Sequence, residues 1–267
     1  MVSLARWQTA QQYERGYWES VATRIASGAA SQLEWYRWRA DQLVARLRRL
    51  GLDSVANGSA RVVEVGCGPI GVVGFFPARE RTAVDPLETF YSADVTLTAL
   101  RSTSVRYVRG MGEELPCPTG SCDLAIMENC IDHVRDVRAV MRELARVLDD
   151  GAVLYVTVNC RTRWGFMMHR LLSRARVDRG HPYTFTPHRM ERLLRESGFQ
   201  VLGIDVGSFS EERKKDLASD ERRTRAKGFL GISEFVVSVV ARRLPLHVEA
   251  GNLPIGDRSH SVLTRQA

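Results

Sequence analysis

A short apolar stretch followed by three closely spaced glycines places the strongest constraint on how this chain folds. Residues 61–65 combine β-favouring side chains with a single acid and are typical of a buried strand. Gly66, Gly68 and Gly71 follow at once in a G-x-G-x-x-G spacing. Glycine at the end of a strand lets the backbone turn sharply and lets a ligand lie against it. The stretch therefore predicts a strand, a glycine turn and a helix that begins within the apolar residues 72–76.

Two acidic residues narrow the kind of ligand that this turn could hold. Glu64 lies two residues before Gly66, where a carboxylate suits a cationic or amino end better than a pyrophosphate. Residues 81–85 are typical of a second strand, and its last residue, Asp85, lies 19 residues after Gly66. That is about the spacing at which a carboxylate meets ribose hydroxyls. The pattern favours a nucleoside with an amino-acid end, S-adenosylmethionine, while a tight turn without a ligand remains the alternative reading of the glycines alone.

Further segments follow in an order that resembles class I S-adenosylmethionine-dependent methyltransferases, in particular the small-molecule branch related to methyltransferase type 11. The segments are residues 64–69, Asp85, residues 110–116, residues 121–124, residues 132–134 and residues 142–151. The resemblance covers about residues 60–205. It implies an α/β enzyme with a doubly wound, seven-stranded Rossmann-like sheet and an N-terminal helical lid, which uses S-adenosyl-L-methionine as its methyl donor.

The same resemblance implies a set of cofactor contacts. They are Glu64, Gly66, Cys67, Gly68, Gly71, Asp85, Pro86, Gly112, Glu113, Glu128 and Asn129. In this arrangement Asp85 takes the ribose hydroxyls and Glu64 anchors the amino-acid end. Met111 stands where the family often has an aspartate, so one hydrogen bond to the adenine is expected to be missing.

His181 and His133 are the candidates for the group that takes the proton of the methyl acceptor, because histidine titrates near neutral pH. His181 lies in a loop after the fifth predicted strand, in a segment that usually borders the acceptor pocket. His133 lies just beyond the fourth predicted strand. Purely structural roles stay open for both: a cap or a loop contact for His133 and a turn contact for His181.

The pattern of the whole chain predicts three parts. They are a helical lid over residues 1–55, a Rossmann-like domain over residues 56–243 and a flexible tail over residues 244–267. The strands of the domain are expected near residues 61–65, 81–85, 105–108, 122–128, 152–158, 199–206 and 234–242. Residues 149–151 predict a turn, and residues 211–227 predict a solvated helix or a loop. The aromatic residues of the N-terminal part fit either a lid or plain packing.

The composition of the chain limits the kinds of substrate that it could bind. The formal net charge of +7 and the arginines at 161–179 keep an RNA methyltransferase open as an alternative. Two observations argue against a nucleic-acid substrate: arginine is scattered along the chain, and residues 128–131 do not form the tetrad of base-amine methyltransferases. The leading expectation is O- or N-methylation of a small molecule, such as a natural product, sugar or lipid-linked compound. A non-catalytic cofactor-binding subunit is the third possibility, and the oligomeric state stays open.

The cysteines and the apolar runs set the expected location. No stretch of about 18 apolar residues predicts a membrane span, and the N-terminus lacks the apolar core of a signal peptide. Five cysteines fit a reducing compartment, so we expect a cytoplasmic protein. No metal site is expected, because Cys117 and Cys122 have no second Cys or His pair to complete a zinc site.

Overall fold

Within residues 1–29, 33–173 and 180–245, which the computed structural model describes, seven strands form one sheet. They are β1 (Arg61–Val65), β2 (Glu80–Asp85), β3 (Arg106–Arg109), β4 (Cys122–Glu128), β5 (Leu148–Cys160), β6 (Phe199–Val206) and β7 (Phe235–Arg243). Their order is β3-β2-β1-β4-β5-β7-β6, and only β7 runs antiparallel to its neighbours. The order reverses between β1 and β4, so their carboxyl ends border the crevice where such sheets bind ligands. The predicted α/β fold is confirmed.

The helices cover both faces and the N-terminal edge of this sheet. They are α1 (Leu4–Ala26), α2 (Trp35–Arg49), α3 (Glu88–Ser92), α4 (Val95–Thr98), α5 (Val137–Val147), α6 (Arg163–Ser173), α7 (Pro187–Glu196), α8 (Phe209–Ala218) and α9 (Arg222–Leu230). Local sequence fixes several of their starts. Asp136 accepts the N–H groups of Arg138 and Ala139 at the start of α5, and Thr186 caps α7 just before Pro187.

Alternate residues of the central strands face opposite sides of the sheet, as the period of two requires. Val63 and Val65 pack into the cluster that holds the apolar faces of α5 and α7. Val62 points the other way, into the cluster that contains α2. The sheet is thus covered on both faces, and each face has its own buried core.

The helix expected after the glycine turn does not form, which corrects the sequence prediction. Val72–Gly74 make only a single 3-10 turn, and the next strand follows at residue 80. Pro77 supplies the physical reason, because its ring disfavours the helical conformation of Phe76 and its nitrogen has no hydrogen to donate. The connection from β1 to β2 therefore leaves part of the sheet without a covering helix.

Helix α2 covers that part of the sheet. Its residues Tyr36, Ala40, Leu43 and Leu47 are buried at helical spacing in the same cluster as the 3-10 turn Val72–Gly74. α2 is thus an integral part of the core and does not stand apart from the sheet.

One other prediction is wrong. Residues 149–151 were expected to form a turn but belong to β5, where Gly151 has a φ of 76° and the register shifts against β4. Arg243 on β7 holds this irregular start by donating to the carbonyl of Leu148 and to Asp150. Residues 211–227, predicted as a solvated helix or a loop, form most of α8 and α9 with a short link at residues 219–221, and the two helices pack on each other.

Of the expected tail, residues 246–267 lie outside the described residues, as do residues 174–179 of the arginine-rich stretch. In the part of the chain that the structure describes, no helix combines the length and the apolarity needed to cross a membrane.

We predict that truncating Leu43 destabilises the whole domain, because its side chain is fully buried between α2 and the sheet. Leu43→Ala should lower the free energy of unfolding by about 2–5 kcal/mol, measured by urea denaturation. The matched control is Gln42→Ala, at an exposed position of the same helix, which should change stability by less than about 0.5 kcal/mol. A loss below about 1 kcal/mol for Leu43→Ala would contradict the core role of α2.

Candidate functional site

A cavity of about 240 Å³ lies at the carboxyl ends of β1, β2 and β4, with α1 and α2 on its other side. All of the predicted cofactor contacts line it except one. They are Glu64, Gly66, Cys67, Gly68, Asp85, Pro86, Gly112, Glu113, Glu128 and Asn129. Gly71 lies outside the lining. Of the two histidines, His133 lines the cavity and His181 lies behind it.

The glycine turn needs glycine for both its backbone and its space. Gly66 and Gly68 have φ angles of 73° and 62°, where a side chain is strained. A Cβ on Gly66 would overlap the side chain of Cys130. A Cβ on Gly68 would lie 2.7 Å from the hydroxyl of Tyr36. The turn is therefore in close contact with α2 as well as with the cavity.

The side chain of Glu64 stabilises the segment that follows the glycine turn. One carboxylate oxygen accepts the N–H of Val72 at 3.1 Å and the other accepts the N–H of Val73 at 2.8 Å. A Cβ on Gly71 would lie 2.7 Å from this carboxylate, so Gly71 serves the packing of the turn. Burial raises the pKa of Glu64 to about 8, although the two N–H donors act in the opposite direction.

Asp85 ties the end of β2 to the same turn. One of its oxygens accepts the N–H of Gly68 at 2.9 Å and the other accepts the N–H of Leu87 at 2.8 Å. Each carboxylate oxygen has a second lone pair, so Asp85 can still accept hydroxyl groups from the cavity. Burial raises the pKa of Asp85 to about 6.

Carboxylates dominate the electrostatics of the cavity. They belong to Glu14, Glu64, Asp85, Glu113 and Glu128. Arg39 supplies the one guanidinium among the described lining residues, and its Nε lies 2.9 Å from Glu128. Glu113 accepts the N–H groups of Arg135 and Asp136 at 2.7 and 2.9 Å. In their ionised forms these carboxyl groups outnumber the guanidinium of Arg39 and suit a ligand that carries positive charge.

Asn129 has the features of a ligand contact. Its φ is 47°, the one positive value outside glycine in the described residues, and strained backbone of this kind clusters at functional sites. Its N–H donates to the carbonyl of Thr157 at 2.9 Å. Its side-chain oxygen is buried without a protein partner, and such a group calls for a ligand or a water.

The N-terminal helices contribute lining residues that the sequence analysis did not assign. Trp7, Gln11, Glu14 and Trp18 lie on one face of α1 and reach the cavity together with Arg39 of α2. The side-chain oxygen of Gln11 is buried without a partner, like that of Asn129. Their helical spacing was the only available signal, and that spacing also fits plain packing.

The structure brings His133 and His181 together at the tip of β4. Their ring centroids are 4.7 Å apart, and Nε2 of His133 lies 3.9 Å from Oδ1 of the buried Asp132. Backbone contacts hold the two segments in place, because Tyr183 donates its N–H to the carbonyl of Asp132 at 3.2 Å. Asp136 caps α5. His133 therefore does not have the capping role that its sequence position left open.

The comparisons with known proteins agree with this geometry. The family model of the methyltransferase domain (Methyltransf_23) matches residues 34–204. None of the curated proteins searched matches the chain. The solved structures described next share 16–17% identity with the chain, so they bear on the fold alone.

Three solved structures illustrate the likeness. A provisionally assigned methyltransferase from Bacillus halodurans C-125 has a TM-score of 0.55 at 17% identity, over 75% of this chain and 100% of its own. A provisionally assigned sarcosine dimethylglycine methyltransferase from Galdieria sulphuraria has a TM-score of 0.57 at 16% identity, over 78% of this chain and 86% of its own. The 4+2 cyclase SpnF has a TM-score of 0.55 at 16% identity, over 89% of this chain and 96% of its own.

The family match spans well over half of the chain and begins at Glu34, directly before α2. It covers the glycine turn, the acidic end of β2 and the tip of β4, which together build the cavity. The chain therefore belongs to the methyltransferase domain family and is a class I S-adenosylmethionine-dependent methyltransferase.

Proposed function

We propose that this enzyme methylates an oxygen or nitrogen atom of a small molecule, such as a natural product, a sugar or a lipid-linked compound. The observation that carries the proposal is the carboxylate-rich cavity roofed by aromatic side chains of α1 and α2. A cationic sulfonium fits the carboxylates, and the flat side chains of Trp7, Trp18 and Trp35 suit a compact organic acceptor. In the transfer, the acceptor's lone pair attacks the methyl carbon, the sulfur–carbon bond breaks, and the acceptor loses a proton.

The geometry supports a small acceptor over RNA. The lining carboxylates would repel a phosphate backbone. The first arginine of the basic stretch is also occupied, because Arg161 is buried, donates to the carbonyl of Ile232 and pairs with Glu234 at 2.7 Å.

Within this proposal, the cofactor lies along the turn with its ribose at Asp85 and its methionine part against Gly66, Cys67 and Gly68. Glu64 fixes the turn on which the amino-acid end rests. The adenine lies between Pro86 and the edge formed by Gly112 and Glu113, and Glu128 and Asn129 face the methionine part from β4. Lid and domain boundaries near residue 55, and the cytoplasmic location, stay predictions.

We predict that Asp85→Asn weakens the binding of S-adenosylhomocysteine by about 1.5–3 kcal/mol, because charge-assisted bonds to the ribose are lost. Isothermal calorimetry on the purified chain measures this. The matched control is Glu80→Gln at the exposed start of the same strand, which should leave the affinity unchanged. Equal affinities for Asp85→Asn and the unaltered chain would remove Asp85 from the cofactor site.

The pH dependence provides a second readout for Asp85. Ribose hydroxyls donate to the ionised carboxylate, and burial raises its pKa to about 6 in the free protein. Binding must then release a proton at lower pH, so the affinity should fall as the pH drops from 7 through about 6. Asp85→Asn has no such proton and should lose this part of the dependence.

Helix α1 is proposed to act as part of a lid over the bound cofactor, because one of its faces lines the cavity. Hydrogen exchange across Leu4–Ala26 should slow when S-adenosylhomocysteine binds. Helix α7 (Pro187–Glu196) does not line the cavity and serves as the internal control. Unchanged exchange in α1 at saturating ligand would leave it only a packing role.

The histidine pair is proposed to promote the loss of the acceptor's proton. An acceptor is first found by screening labelled methyl transfer to hydroxyl and amine compounds, with RNA as the competing substrate. On that acceptor, His181→Ala should lower turnover by about 10²–10⁴-fold and leave the affinity for S-adenosylhomocysteine unchanged. His133→Ala should lower both, because His133 lines the cavity.

The matched control for the histidines is His188→Ala, at an exposed position of α7, which should leave turnover unchanged. Full turnover in both His181→Ala and His133→Ala would mean that closeness and alignment of the acceptor suffice. Methyl transfer to RNA alone in the screen would overturn the small-molecule proposal.

A further inference from the structure

We propose that Asp132, His133 and His181 form a binding site for a divalent transition-metal ion, and that this ion holds a hydroxyl group of the acceptor beside the cofactor cavity. The inference rests on the proposed function and deepens it, because it names the acceptor as a hydroxyl compound. It departs from the expectation drawn from cysteine spacing that the chain has no metal site.

The spacing of the three side chains is the first observation. One ligand atom from each, a carboxylate oxygen and two imidazole nitrogens, lies within 4.8 Å of the other two. An ion bound at about 2.0–2.2 Å from each atom would set them about 3.3–3.5 Å apart. The distance between Nε2 of His133 and Oδ1 of Asp132 is 3.9 Å. To bind one ion, the three ligand atoms would have to move closer together than they stand in the structure.

The backbone around the site holds its two halves together. Asp132 and His133 follow β4, while His181 belongs to the segment that returns from α6. Tyr183 donates its hydroxyl to the carbonyl of Arg135 at 2.8 Å, and its N–H to Asp132. Arg6 of α1 donates to the carbonyl of His181 at 2.9 Å. These contacts hold together segments that are far apart in the sequence.

An unsatisfied carboxylate is the second, independent observation. The side chain of Asp132 is only 4% exposed, and its Oδ1 has no hydrogen-bond partner among the residues that the structure describes. A buried carboxylate oxygen without a donor or a cation is costly. A metal ion at this point would supply the missing positive charge.

The ligand set favours a particular class of ion. Two imidazoles and one carboxylate suit Zn²⁺, Fe²⁺, Co²⁺ or Ni²⁺, whereas Mg²⁺ and Ca²⁺ prefer sites built from oxygen alone. Three protein ligands leave at least one position open, as in catalytic zinc sites. Because His133 also lines the cavity, the open position can face the methyl donor.

An ion at this place would account for proton removal. The acceptor's hydroxyl oxygen would coordinate the ion, which lowers its pKa so that the proton leaves to solvent. The oxygen lone pair then forms the bond to the methyl carbon. The sulfur–carbon bond breaks, and its electron pair stays on sulfur, which converts the sulfonium into the neutral thioether of S-adenosylhomocysteine.

Equilibrium dialysis of the chelator-stripped full chain against Zn²⁺, with elemental analysis, tests the site. We expect one tightly bound equivalent that an excess of Mg²⁺ does not displace. Asp132→Asn and His181→Gln should each weaken Zn²⁺ binding at least about tenfold. The controls are His188→Gln and Cys117→Ser, because an exposed histidine or a thiol could also bind zinc; both should keep the full equivalent.

Binding of S-adenosylhomocysteine by the same preparations separates the two proposals and checks that each variant is folded. Cofactor binding without a Zn²⁺ equivalent would overturn the metal site and leave the methyltransferase proposal standing. An equivalent that survives both Asp132→Asn and His181→Gln would also overturn it. A Zn²⁺ equivalent on a chain that methylates only RNA would keep the site and overturn the small-molecule acceptor.

Discussion

Two buried carboxylates hold the glycine turn, and the rest of the site depends on them. Glu64 accepts two N–H groups of the segment after the turn, and Asp85 accepts the N–H of Gly68 within it. Because both groups are buried, these bonds are strong, and burial also raises the pKa of each. The turn, the ends of β1 and β2 and the floor of the cavity are therefore one hydrogen-bonded unit.

The roof of the cavity is built from α1 and α2, whose sequences show helical periodicity and none of the cofactor motifs. A single 3-10 turn stands where a helix was expected after β1. The part of the sheet that this helix would have covered is covered by α2, which precedes β1 in the chain. Its residues Tyr36 and Arg39 consequently reach the cavity. The enzyme thus uses an N-terminal helix both as core and as cavity wall, which couples cofactor binding to the stability of the N-terminal part.

The corner at the tip of β4 joins the cofactor cavity to the chemistry of the acceptor. Asn129 lies there in a strained backbone conformation, and Asp132, His133 and His181 meet a few residues further on. Asn129 and His133, which follow β4, would thus set a donor contact and an acceptor contact close together, and His181 joins them from the segment between α6 and α7.

The sequence by itself determined the alternating strands, the glycine turn and the acids at its edge, because these follow from short-range backbone requirements and the period of each element. Asp85 and His133 could be placed on strand ends in the same way. Tertiary structure alone decided that α2 replaces a helix, that Gln11 and Arg39 line the cavity, and that His181 meets Asp132. Those contacts join residues far apart in the chain, and the packing that brings them together leaves no local pattern in the sequence.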